Sequence, residues 1–126
     1  MKRIHLIVLA LLVFVSYAHA QKATEIFIPI GKSPGLSGKS TSIGKIGSFD
    51  LQQKTLTVSD STASYTVKIT DETQIWLDRS SMKQSNKKGT LADLAAGARV
   101  EIKYVNNERK EGAMAEWIKV EVKSNP

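Results

Sequence analysis

From Ile43 onward the chain alternates apolar and polar residues with a period of two, the pattern of strands buried on one face. Ile43 to Phe49 predicts a first strand, with Gly44 and Gly47 suited to a strongly bent barrel stave. Leu56 and Val58 share one face of a second strand, with Thr55 and Thr57 on the other. Tyr65, Val67 and Ile69 line a third, and Thr73 to Leu77 makes a fourth that points Ile75 and Leu77 one way and Trp76 the other. Val100, Ile102 and Tyr104 alternate in a fifth, and Ile118, Val120 and Val122 in a sixth, opposite Trp117, Lys119 and Glu121. Thr90 to Asp93 reads as the start of one or two helical turns. A Thr oxygen accepts from the backbone, an acid sits three residues on, and Gly97 ends the turn.

These elements predict an all-β fold over residues 43–123, a small six-stranded antiparallel barrel of the oligonucleotide/oligosaccharide-binding (OB) type with one short capping helical turn. Closure is favoured because so small a domain, without disulfides, cannot leave long strand edges unpaired. The expected core is Ile46, Phe49, Leu56, Val58, Tyr65, Val67, Ile69, Ile75, Leu77, Leu91, Leu94, Val100, Ile102, Ile118 and Val120.

The chain before the barrel has a different character. Lys2 and Arg3, the apolar run Leu6 to Val15, and Ala18-His19-Ala20 form the charged start, core and small-residue site of an export signal over residues 1–20. The apolar run is too short for a spanning helix of about 20 residues, so no membrane span is expected once the signal is cleaved after Ala20, or after Ala18. Residues 21–42 are rich in Gly, Ser and Lys and predict a flexible arm with one isoleucine patch, Ile26 to Ile30. Pro29 confines that patch to an edge, where it could join another chain and make a weak dimer of an otherwise monomeric protein.

Cleavage sharpens the chemistry. His5 and His19 are the chain's only histidines and it has no Cys, so cleavage after Ala20 leaves neither residue. Most nucleophilic, acid–base and transition-metal sites then lack their usual groups. No catalytic residue, resident metal or cofactor is expected. Lys2 and Arg3 leave with the signal, so 18 basic residues become 16 against 12 acidic ones, a mildly basic balance. The glycines of the arm are no phosphate loop: counting back from Gly38-Lys39-Ser40 puts Ser33 where the first Gly is required.

The barrel's turns also resemble a known family. Gly47 to Asp50 with Lys54-Thr55-Leu56-Thr57-Val58, then Ile69 to Ile75, Leu91 to Ile102 and Ala115 to Val120 are similar to the bacterial exported family called domain of unknown function 5666. The resemblance spans Ile43 to Val122 and implies a six-stranded OB-like barrel without assigned catalytic residues. The loop 78–89 and the arm 21–42 depart from it.

Candidate binding chemistry is electrostatic. Arg79, Lys83, Lys87 and Lys88 lie in one loop with no acid between them, and Trp76 and Trp117 point away from the apolar strand faces. A basic loop beside exposed indoles suits an anionic or sugar-like polymer of the cell envelope, or another envelope protein. Export argues against nucleic acid. The plainer reading is a solvated loop over tryptophans that brace the barrel. Two alternatives remain: a minor hydrolase using Asp71, Glu72 or Asp78, whose plainer role is turn formation, and a Cu(I) site drawn from Met82, Met114 and the tryptophans. The expectation is therefore an exported, non-enzymatic binding module, periplasmic or secreted.

Overall fold

Alternation becomes seven strands in the computed structural model, which describes residues 27–109 and 111–123. The export signal, its cleavage site and Gln21 to Ile26 lie outside the described residues. The strands are β1 (Thr41–Asp50), β2 (Thr55–Ser59), β3 (Ser64–Lys68), β4 (Gln74–Asp78), β5 (Lys87–Lys88), β6 (Arg99–Tyr104) and β7 (Ala113–Glu121). One-turn 3-10 helices at Ser80–Met82 and Leu91–Asp93 flank β5. The second is the expected capping turn, with Asp93 Oδ2 accepting from the Thr90 N–H at 2.7 Å. Leu94 and not Gly97 ends it: the Leu94 N–H donates to the Leu91 carbonyl, and Gly97, at φ 88°, lies in the following turn and donates to the Ile46 carbonyl.

The sheet order is β3-β2-β1-β6-β7-β4-β5, and an additional pairing of β3 with β7 closes five strands into an OB-type barrel. β1 makes closure possible by serving two neighbours, pairing with β6 over Thr41–Lys45 and with β2 over Lys45–Asp50. It bends between them. Gly44 lies where a Cβ would come within 2.4 Å of the Ser59 carbonyl oxygen, so only glycine lets β1 and β2 approach.

Two features differ from the six-stranded antiparallel expectation. β3 and β4 both run parallel to β7, one after the other along the same edge: Val67 faces Ala113, and Gln74 faces Trp117. The residues between them loop out, pinned where the Thr73 hydroxyl donates to the Ala115 carbonyl at 2.8 Å. β4 is thus an extension outside the closed ring, and β5 is a two-residue edge strand with no sequence signal beyond a lysine pair.

The inward residues form one core that contains the expected set, with Phe49, Leu77 and Leu91 packed at its margin. Tyr104, Ala113 and Ala115 complete it.

The segment expected to be a flexible arm is anchored on the barrel at Ile30 and Ser33, with Lys32, Pro34, Gly35, Gly38 and Lys39 exposed. Ile30 is 4% exposed and Ser33 2%, in a run of turns that leads into β1 at Thr41, two residues before the expected start. Its composition is indeed poor in apolar area. What holds it is a set of hydrogen bonds to buried charged groups on the barrel's outer face.

Candidate functional site

The outer face of β1, β6, β7 and β4 carries a row of residues in register: Ile43, Glu101, Lys119 and Trp76, with Lys88 of β5 beyond. Charged residues at such positions normally meet water. Here residues 28–41 lie over them, and Glu101 and Lys119 are both 0% exposed. Glu101 accepts from the Gly31 N–H (2.9 Å), the Ser37 hydroxyl (2.7 Å) and the Thr41 hydroxyl (2.7 Å). Lys119 Nζ donates to Ser33 Oγ at 3.1 Å and lies 4.6 Å from the centre of the Trp117 ring. Charges removed from water need such partners, since an uncompensated buried ion costs several kcal/mol, of order 3–5 when one partner is lost.

Asp78 joins this clasp at the end of β4. Burial pushes its carboxyl up, but hydrogen bonds from the Ile30 N–H and from Ser80, with the Lys119 charge, outweigh it and hold the carboxyl below its ordinary value. The same residue starts the basic loop. Arg79 Nε donates to the Ser85 carbonyl (2.8 Å), the Ser81 hydroxyl to the Val122 carbonyl (2.7 Å), and Asn86 Nδ2 to the Ile28 carbonyl (2.9 Å). Lys83 turns the chain at φ 56°, and β5 then returns beside β4, Lys87 opposite Leu77 and Lys88 opposite Trp76. The loop is therefore a braced frame, with the side chains of Lys83, Lys87 and Lys88 exposed and Arg79 half-buried.

The structure gathers five of the six expected binding residues and removes the sixth. Trp76 is half-buried between Lys88 and Lys119 and borders the loop. Trp117 is 6% exposed and offers no stacking platform. The alternation correctly placed it opposite Ile118, but the outer face there is itself covered. Glu101 and Lys119 went unrecognised because nothing local separates an outward charge in water from one under another segment. The only hint was the supply of Ser, Thr and Gly donors in residues 31–41.

The hydrolase arrangement does not form. Asp71 lies in solvent, where a hydrogen bond and the charge of Lys54 (2.9 Å) lower its pKa. Glu72 is exposed, while Asp78 is buried in the clasp, so the three acids share no cleft. The two methionines do not converge either. Met114 lies near the start of β7, and Met82 sits beside Ser81 at the far end, near Val122. At about 3.3 Å per residue this is a separation on the order of 25 Å. Among the described residues no group of three or more His, Cys, Asp or Glu side chains gathers to hold a metal ion. No helix among them is long and apolar enough to cross a membrane.

No protein-family model matches the chain, and no curated protein matches it in sequence. Among solved structures it is similar to CusF. A tryptophan-to-alanine CusF variant with Cu(II) from Escherichia coli shares 16% identity at a TM-score of 0.44, covering 64% of this chain and 88% of that one. CusF with Ag(I) shares 16% at 0.42, covering 64% and 93%. Apo-CusF from Escherichia coli shares 17% at 0.42, covering 64% and 83%.

Proposed function

We propose that this protein is an exported, non-enzymatic binding module of the cell envelope, periplasmic or secreted, that holds an anionic envelope polymer on the basic loop 79–88. One observation carries the reading: Lys83, Lys87 and Lys88 are exposed on a loop tied down by the Ser81 and Asn86 side chains and by Arg79 on the Ser85 carbonyl. A fixed frame lowers the ordering cost of binding, and cations spaced along it match the repeat charges of a polymer better than a single small ion. Asp78, the nearest acid in sequence, is turned inward and committed to Ile30 and Ser80, so it does not neutralise the lysines. Trp76, flanked by Lys88, adds a half-exposed ring beside them.

Export rests on Lys2, Arg3 and the Leu6–Val15 run. Kinship with the 5666 family belongs to the same proposal and is supported by the run Leu91 to Ile102, which forms the capping turn, the left-handed Gly97 and the start of β6. A dimer built on the Ile26–Ile30 patch is less attractive, because Ile30 is buried in its own chain.

The test is retention on an immobilised anionic envelope-polymer preparation, eluted with salt. The double variant Lys83→Glu, Lys87→Glu should elute at clearly lower salt than the parent protein. Equal elution would sink the proposal.

A further inference from the structure

The end of the barrel away from the basic loop has its own polar cleft. The turn before β1 and the loops after β2 and β6 border an open depression of about 480 Å³, with Lys39, Ser42, Asp60, Ser61, Thr62 and Arg109 in its lining. Asp60 organises it. Its Oδ1 accepts from the Thr62 hydroxyl (2.7 Å), the Thr62 N–H (2.8 Å) and the Ala63 N–H (2.9 Å), while Oδ2 pairs with Arg109 Nη1. Those bonds, the Thr62 hydroxyl foremost, hold the carboxyl well below the usual carboxylate range. Asp60 is thus a permanent anion that holds Arg109.

The guanidinium of Arg109 also lies over the Tyr65 ring, 5.0 Å from its centre. Anion on one side and ring on the other set its orientation, and the fork has donors beyond the one given to Asp60. Behind it the Tyr104 hydroxyl donates to Ser42 Oγ at 2.9 Å, and burial pushes the Tyr104 hydroxyl pKa up, so that proton stays in place. Ser42 is buried, lines the cleft and, having accepted one proton, keeps its own to donate. The Tyr65 hydroxyl, buried nearby, has no hydrogen-bond partner among the described residues.

We propose that this cleft is a second ligand site, distinct from the basic loop, and that it takes a hydroxylated carboxylate such as a single sugar-acid unit. The carboxylate sits on the Arg109 fork, with Lys39 as the second cation, and the hydroxyls meet Ser42, Ser61 and Thr62. Charge selects the anion: two cations against the fixed Asp60 leave a surplus suited to one carboxylate. A phosphate would want converging backbone N–H groups, and those of Thr62 and Ala63 are committed to Asp60. Hydroxyls are selected by a lining of mixed polarity: Ser42 donates, Thr62 has donated to Asp60 and accepts, and Ser61 can do either. Thr41 lines the cleft too but is occupied, accepting from the Gly38 N–H and donating to Glu101.

The test is an amide-shift NMR titration of the Gln21–Pro126 chain with sodium glucuronate, glucose and sodium acetate. Glucuronate should give saturable shifts at Lys39, Ser42, Ser61 and Thr62, and bind at least about tenfold tighter than either comparison compound. Arg109→Lys keeps the charge but loses the fork and should weaken glucuronate by about tenfold, while Lys83→Glu with Lys87→Glu leaves it unchanged. Absence of saturable shifts, acetate binding as well as glucuronate, or an Arg109→Lys variant that binds like the parent would each overturn the proposal. Failure of the basic-loop reading would leave this titration unaffected, so the two stand or fall separately.

Discussion

Glu101 and Lys119 face each other directly across β6 and β7, both without solvent exposure, on the outside of the barrel. Outward charges on a small barrel would ordinarily contribute little, because water screens them. Covered by residues 28–41, the two charges instead become the anchor of that segment. Glu101→Ala removes the buried acceptor of three donors, the Gly31 N–H and the Ser37 and Thr41 hydroxyls. We expect a loss of about 3–5 kcal/mol in urea unfolding. Glu101→Leu combined with Lys119→Met should cost less than the sum of the single changes, since two residues directly opposite each other across β6 and β7 are not independent sites.

Acid should loosen the same clasp. The Asp78 carboxyl is held below its ordinary value, so its stabilising contribution is fully present above the unfolded value, about pH 4, and fades as pH falls through the lowered folded one. Hydrogen exchange at the Ile30 amide, bonded to Asp78 Oδ2 at 2.9 Å, should accelerate across that acid range beyond the change at core amides such as Val100. Ile30 and Val100 moving together would show that the clasp does not open on its own.

Gly44→Ala is expected to destabilise the barrel by about 1–3 kcal/mol, measured by thermal or urea unfolding. The added Cβ meets backbone, the Ser59 carbonyl at 2.4 Å, and cannot be relieved by turning a side chain. Gly47→Ala, whose nearest neighbour would be 3.6 Å away, serves as the comparison and should cost less.

The two tryptophans should separate in quenching. With Trp76→Phe the remaining Trp117 emission should resist acrylamide, and with Trp117→Phe the remaining Trp76 should be quenched more readily. Truncating the buried ring, Trp117→Ala, should cost about 3–5 kcal/mol. Equal quenching of both single-tryptophan proteins would contradict the covered outer face.

Much of the barrel was legible because its signals are local. Alternation of Leu56 with Val58, and of Val100 with Ile102, assigned faces without knowledge of neighbours, and the Thr90–Asp93 pair marked the start of the capping turn, though not its end at Leu94. The path of β4 was not legible. Parallel pairing with β7 depends on how far β7 extends past the end of β3, a relation between residues 68 and 117 that no short window contains. The candidate site divides along the same line. The lysines were legible as a basic run without acids, a local property, whereas the pairing of Lys87 and Lys88 with β4 and the braces from Ile28 and Val122 are not local.

Period-two patterning was enough to establish an all-β barrel, its core and a basic loop without acids, because the hydrophobic effect acts on each residue according to which side of its own strand it occupies. Which outward residues meet water was settled by the fold alone. Lys119 and Glu101 read as surface, and a polar segment nearly ninety residues before Lys119 in the chain covers them by supplying hydrogen bonds where it has little apolar area. Burial of a charge is decided by partners brought together from distant positions, and that meeting exists only once the chain has closed.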